Sequence, residues 1–195
     1  MHLRPAPAIL AVIVVTVALF ASMLVLPAPA QAAKTKQYSG RIFAIGDSVM
    51  MGARTCLEAR RYTVDAVGSR QISAGIDTLK VRRASLPNRV VVHLGTNGGA
   101  YPADLDRVVK AIGKRRLIIF VTIQLPNNYS RYTFEERTNA AIRALPERYD
   151  NVRVFDWNAI TNNRPHLFWA DGFHVRPEGC ATYAKRLDNI ARARR

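Results

Sequence analysis

Residues 41–61, RIFAIGDSVMMGARTCLEARR, contain the local pattern that decides the fold. Residues 41–46 form a short apolar run, which is typical of a strand buried on both faces of a sheet. Residues 49–61 follow a Gly-Asp-Ser turn and have the length of a helix that covers this strand. A buried strand that leads directly into a helix is the first half of a βαβ unit, so the next strand should run parallel to the first.

The same alternation continues to the end of the chain. Parallel pairing needs long crossovers, and helices that supply them lie on both faces of a sheet. We therefore predict a single three-layer α/β/α domain with a five-stranded parallel sheet. The further strands are predicted at 62–66, 89–94, 116–123 and 151–155, and the further helices at 74–83, 102–114, 133–149 and 177–193.

Length and composition exclude several classes of protein. A chain of 195 residues suits one domain, and a hydrophobic share of 49% is too high for an intrinsically disordered protein. Two cysteines are too few for a disulfide-dense miniprotein or a four-cysteine zinc module. The net charge of +15, with arginine supplying 23 of the 29 basic residues, indicates an anionic partner or surface.

The N-terminal segment narrows the choice of partner. Residues 1–4 carry one positive charge, residues 9–26 are apolar and uncharged, and residues 27–33 read PAPAQAA. This order is typical of a secretory signal peptide, so we predict a signal at 1–32 with cleavage after Ala32, and the folded domain at 33–195. The alternative is an uncleaved anchor. Export makes nucleic acid an unsuitable partner and favours an anionic wall polymer or lipid head groups.

Polar residues follow the predicted strands, and the carboxyl ends of parallel strands are where α/β domains carry their sites. Ser48 follows the first strand, and the pair Asp171 and His174 precedes the last helix. A hydroxyl, a base and a carboxylate that orients the base are the parts required for nucleophilic acyl transfer. We predict Ser48 as nucleophile, His174 as general base and acid, and Asp171 as the acceptor that fixes the imidazole tautomer.

An oxyanion hole is predicted from the other strand ends. The backbone N–H of Ser48, a backbone N–H of Gly68 or Ser69, and the side-chain amide of Asn97 would stabilise the negative charge of a tetrahedral intermediate. Of the two loop residues we favour Ser69. Asp47 would order the turn before the helix by accepting hydrogen bonds from backbone amides.

These blocks together resemble the SGNH, or GDSL-like, hydrolase superfamily. The stretches IGDSVMMGA, VDAVGSRQ, HLGTNG and DGFHVRPEG look like the extracytoplasmic SGNH domain of bacterial peptidoglycan O-acetyltransferases and related acyltransferases. The resemblance implies the flavodoxin-like SGNH hydrolase fold. It also implies a Ser-His-Asp enzyme that acts on O-acyl groups of envelope carbohydrate, with no metal and no organic cofactor.

Three functions stay open at this point. The larger acyltransferases carry a many-helix membrane domain that presents the acyl donor, whereas this sequence has one apolar segment. We therefore favour a secreted esterase that removes acyl groups from a carbohydrate or other small ester. The alternatives are an O-acyltransferase that works with a membrane acyl-donor protein, and an inactive module that binds the cell wall.

Several other residues have two interpretations. Arg70 and Gln71 could contact substrate or order their loop, and Asn127 could line the pocket or be a plain loop residue. His93 lies within a strand, so a structural role is favoured. Cys56 and Cys180 follow the nucleophile and the base into their helices, and an oxidising compartment would favour a disulfide between them over two free thiols.

Overall fold

A computed structural model of the chain describes residues 38–126 and 132–193, so the proposed signal peptide and Asn127 lie outside the described residues. Five parallel strands form one sheet in the order β2-β1-β3-β4-β5, as in flavodoxin-like folds. The strands are β1 (Ile42–Gly46), β2 (Tyr62–Ala66), β3 (Arg89–His93), β4 (Leu117–Val121) and β5 (Val152–Phe155). The predicted architecture is therefore confirmed.

Eight α-helices connect and cover the strands within the described residues. No helix among them is long and apolar enough to span a membrane. Their bounds are α1 (Ser48–Gly52), α2 (Arg54–Glu58), α3 (Ile72–Arg82), α4 (Pro102–Ile112), α5 (Glu135–Arg143), α6 (Leu145–Arg148), α7 (Trp157–Thr161) and α8 (Pro177–Arg192).

Alternate residues of each strand feed two separate hydrophobic clusters, one on each face of the sheet. In β1, Ile42 and Ala44 pack with α1, α2 and α8, whereas Phe43 and Ile45 pack with α3 and α4. This division follows from the two-residue period of a strand. Because both faces are covered, strands β1, β3 and β4 are buried along their whole length.

Two predicted helices are interrupted, and one element was not predicted. The helix predicted at 49–61 is two short helices that meet at Ala53, where Gly52 leaves space for the side chain of Val175. The helix predicted at 133–149 divides at Ala144, and Pro146, which has no N–H to donate, lies in the first turn of α6. Helix α7 is only five residues long.

The two cysteines form a disulfide, as predicted. It joins Cys56 of α2 to Cys180 of α8 with 5.9 Å between the Cα atoms. The bond therefore ties the helix pair that follows Ser48 to the helix that follows His174.

Candidate active site

Ser48, His174 and Asp171 are joined by a continuous hydrogen-bonded chain. The Nε2 atom of His174 lies 2.8 Å from Ser48 Oγ, and its Nδ1 atom lies 2.8 Å from Asp171 Oδ2. In the tautomer that carries its proton on Nδ1, His174 donates to the carboxylate and accepts from the serine hydroxyl. This is the arrangement in which an imidazole can remove the serine proton.

Each member of this chain is held by its own local structure. Ser48 is the first residue of α1, and Asp47 caps the helix by accepting from Val49 N at 3.0 Å. Asp171 Oδ1 accepts from the amides of Phe173 and His174 at 3.1 and 3.0 Å, so the carboxylate organises the turn that carries its imidazole partner. Backbone hydrogen bonds thus order the helix start that carries Ser48 and the turn that carries His174.

The two carboxylates beside the nucleophile differ in their electrostatics. Burial raises the pKa of Asp171, but hydrogen bonds from His174 and from the Phe173 amide outweigh burial, so this pKa lies below its ordinary value. Burial also raises the pKa of Asp47, and there it dominates, so that this pKa is about 6. Asp171 is therefore the carboxylate suited to stabilise an imidazolium at neutral pH.

The loops predicted to form the oxyanion hole meet at this edge of the sheet. The side-chain amide of Asn97 donates to the carbonyl oxygen of Arg70 at 3.5 Å, which brings the loop after β3 against the loop after β2. Ser69 has a φ of 57°, whereas Gly68 does not have a positive φ. The left-handed position of this turn is thus occupied by Ser69, and the choice between the Gly68 and Ser69 amides stays a prediction.

The structure distinguishes the residues that were considered for substrate contact. The Arg70 guanidinium donates to Gly46 O at 3.2 Å and to Asp65 O and Oδ1 at 2.6 and 2.7 Å. This geometry corresponds to the loop-ordering interpretation. Gln71 is exposed and precedes α3, where its side chain makes no capping hydrogen bond.

His93 lies beneath the site. It is fully buried and its Nδ1 atom lies 2.9 Å from the hydroxyl of Tyr183, with the two rings stacked. Burial lowers the pKa of His93 to about 3, so the ring is neutral at neutral pH. These contacts agree with a structural role.

A cavity of about 600 Å³ lies beside the site, and sequence reasoning missed it. Gln124 follows β4 and Asn158 is the second residue of the short helix after β5, so their positions near strand ends were the available signal. Gly172, between Asp171 and His174, lines the same cavity. Among the described residues, no group of three or more His, Cys, Asp or Glu side chains could hold a metal ion.

Comparisons with known proteins identify similar sequences and similar folds. No protein-family profile matches the chain. The O-acetyltransferase OatA of Staphylococcus aureus is 29% identical over 140 residues, which cover 69% of this chain. The chain spans 22% of the length of that relative.

Solved structures with a similar fold include an O-acetyltransferase domain and a GDSL-like lipase. The C-terminal catalytic domain of the Streptococcus pneumoniae peptidoglycan O-acetyltransferase OatA, solved with a methylsulfonyl adduct, superimposes with a TM-score of 0.69 and 27% identity. The match covers 77% of this chain and 90% of that domain. A GDSL-like lipase from Bacteroides thetaiotaomicron has the same fold, with a TM-score of 0.64, 15% identity, and coverage of 77% and 87%.

The described domain therefore has the SGNH-type α/β fold of these solved structures. Within that fold class, the chain is similar to the catalytic domain of the O-acetyltransferases, so the resemblance identified from the sequence is confirmed.

Proposed function

We propose that the protein is an exported serine esterase that hydrolyses O-acyl esters, acetyl esters in particular, on cell-envelope carbohydrate. The observation that carries this proposal is the chain of hydrogen bonds from Ser48 Oγ through His174 to Asp171. The extracytoplasmic location is part of the proposal. It is supported by the signal-like residues 1–32 and by the disulfide between Cys56 and Cys180.

The proposed reaction has two halves. Ser48 Oγ attacks the acyl carbon while its proton passes to His174 Nε2, and Asp171 stabilises the resulting imidazolium. Backbone N–H groups of Ser48 and Ser69 and the amide of Asn97 would donate to the oxyanion. His174 then protonates the leaving alcohol oxygen, and the acyl group stays on Ser48 as an ester.

Water completes hydrolysis. His174 removes a proton from a water molecule as its oxygen attacks the acyl-enzyme carbonyl, and the same proton returns to Ser48 Oγ as the carboxylic acid leaves. The chemistry needs no group beyond side chains, backbone amides and water.

O-acyl transfer to a glycan is the second candidate, and the similarity to O-acetyltransferase domains favours it. In this reaction a sugar hydroxyl replaces water as the attacking group, and a membrane protein would present the acyl donor. The third candidate, an inactive wall-binding module, is disfavoured because binding alone does not require an aligned serine, imidazole and carboxylate.

Product analysis with 4-nitrophenyl acetate tests the proposal and separates the first two candidates. We expect acetate release by the wild-type protein and none above background by Ser48→Ala. The matched control Ser85→Ala removes an exposed hydroxyl far from the site along the chain and should keep full activity. Acetylated chito-oligomers formed on addition of chitotetraose would instead identify a transferase. Equal turnover by wild type and Ser48→Ala would overturn both candidates.

A further inference from the structure

The cavity beside the site has a polar wall and a polar rim. It lies at the carboxyl ends of β4 and β5, and its volume of about 600 Å³ is in the usual range of small-molecule sites. Seven of its eleven lining residues carry hydrogen-bonding side chains. These are Gln124, Glu135, Asn158, Thr161, Asn162, Asn163 and Arg164.

Hydrogen bonds between protein groups order the side chains of the inner wall without a ligand. The amide of Asn158 donates to Gln124 Oε1 and to Glu135 Oε1, both at 2.9 Å. The amide of Gln124 donates to Leu125 O at 2.9 Å, and Glu135 accepts from the Leu125 amide. These partners hold each side chain in one orientation, so little conformational entropy is lost when a ligand binds.

The rim is exposed to solvent, whereas the inner wall is ordered by hydrogen bonds between protein groups. Asn162, Asn163 and Arg164 are exposed, and they follow α7 in a turn closed by a hydrogen bond from Arg164 N to Thr161 O at 2.9 Å. Asn163 has a φ of 58°, in the left-handed region. Two amides and a guanidinium therefore border the opening of a cavity whose inner surface is already ordered.

The cavity adjoins the proposed catalytic turn. Gly172 lines it, and this residue lies between Asp171 and His174 in the turn whose two amides bind the Asp171 carboxylate. Gly172 has a φ of 82°, and a side chain there would press on Pro126. A molecule held in the cavity would therefore contact the turn that carries Asp171 and His174.

The charge of the lining favours a neutral ligand over a polyanion. It contains one carboxylate, Glu135, and one guanidinium, Arg164, although the whole chain carries +15. Carboxamides present a donor and an acceptor side by side, which matches sugar hydroxyl and acetamido groups. Phe168, which is buried, and Pro165 belong to the apolar part of the lining.

We propose that this cavity binds a neutral sugar residue adjoining the one whose ester reaches Ser48. The inference rests on the proposed function, because it gives the glycan-esterase site its second saccharide subsite. A small aryl ester would not occupy the cavity, whereas an acylated oligosaccharide would.

The test compares two double variants that remove the same residue types. Asn162→Ala/Arg164→Ala truncates the rim, and Arg186→Ala/Asn189→Ala removes an exposed arginine and an exposed asparagine from α8. Titration calorimetry with chitotetraose and the wild-type protein requires no chemistry at Ser48. We expect the rim variant to bind at least tenfold more weakly, and the α8 variant to bind like wild type.

Turnover provides a second measurement. The rim variant should lose at least tenfold in kcat/KM on mono-O-acetylated chitotetraose and keep its rate on 4-nitrophenyl acetate within twofold. Absence of chitotetraose binding to wild type, or equal binding by both double variants, would overturn the subsite. Failure of the proposed esterase would appear differently, as turnover that does not depend on Ser48.

Discussion

Two buried titratable residues lie next to each other under the nucleophile. Asp47 and His93 are both fully buried, and the Asp47 amide donates to the His93 carbonyl at 3.2 Å. Burial raises the pKa of Asp47 to about 6 and lowers that of His93 to about 3. Burial thus disfavours the charged form of each group, which gives the two residues opposite effects on the pH dependence of stability.

The two effects overlap in mildly acidic solution. Between pH 4 and 6 native Asp47 keeps a proton that the unfolded chain has released, so its contribution to the free energy of unfolding decreases as pH rises. Below pH 6.5 the unfolded chain protonates His93, whereas the native state resists protonation down to about pH 3. The contribution of His93 therefore decreases as pH falls.

Substituting Asp47→Asn isolates one of the two contributions. Asparagine can still accept from the Val49 amide but cannot ionise. We expect the stability of the variant relative to wild type to increase from pH 4 to pH 6, by up to about 3 kcal/mol, and then to stay constant. Urea unfolding at pH 4, 5, 6 and 7 measures this difference, and a difference independent of pH would contradict it.

At the scale of elements, the disulfide is the covalent link between the two halves of the site. It joins α2 to α8 across a sequence separation of 124 residues. In the chain-entropy account, a closed loop of this length stabilises the fold by at most roughly 4–5 kcal/mol.

Removal of the bond should therefore lower stability more than it lowers activity. We expect Cys56→Ser/Cys180→Ser to lose about 2–5 kcal/mol in the free energy of unfolding and to retain turnover of 4-nitrophenyl acetate at low temperature. Denaturant unfolding and intact mass under non-reducing conditions measure the two properties. Two alkylatable thiols in the wild-type protein would contradict the bond itself.

The strands could be predicted closely from the sequence because burial on both faces leaves few polar interruptions. Strand β2 occupies the predicted residues 62–66, and the other strands begin within one residue of prediction. The helix break at Ala53 could not be predicted, because alanine favours helix and the contact between Gly52 and Val175 is tertiary. The break at Ala144 had a signal in the sequence, because Pro146 has no N–H to donate and cannot continue a helix from the preceding residues. Helix α7 is too short to show a helical period.

The candidate site was predictable to the extent that its residues follow strands. Ser48 and Asn97 follow β1 and β3, whose carboxyl ends lie at one edge of the sheet, whereas His174 reaches Ser48 from the turn before α8. The direction of a long side chain was not predictable, as Arg70 shows by turning back onto the β1 and β2 carbonyls. The cavity wall depends on contacts between α5, α7 and the end of β4, which are distant in sequence.

At the scale of the whole molecule, many arginine side chains donate hydrogen bonds to backbone carbonyl groups. Six arginines of residues 38–126 and 132–193 donate to main-chain carbonyl oxygens and so join different segments of the chain. Helix ends and strand ends are the usual acceptors, for example the α8 carbonyls of Ile190 and Ala191. These six are Arg54, Arg70, Arg89, Arg116, Arg153 and Arg192. The net charge is therefore partly structural, and docking to a wall polymer must depend on the exposed remainder.

If the protein binds an anionic wall polymer electrostatically, the binding should depend on salt and on a basic surface near the end of α4. No acidic residue lies between Asp77 and Asp104, and the guanidinium of Arg83 borders Gly113 at the end of α4. We expect polyphosphate binding to weaken as salt rises, and to weaken further in Arg83→Gln/Lys114→Gln. Lys185→Gln/Arg186→Gln makes the same charge change on α8 and should have less effect. Binding that is insensitive to salt would exclude an electrostatic surface.

The most direct test of the central claim is covalent labelling of Ser48. A serine-reactive fluorophosphonate should add one group to the wild-type protein, on the peptide that contains Ser48. His174→Ala should label far more slowly, because no base then removes the Oγ proton. Intact-mass and peptide-mass measurements report both results. An unlabelled wild-type protein, or a label on another serine, would contradict the assignment of Ser48 as the nucleophile.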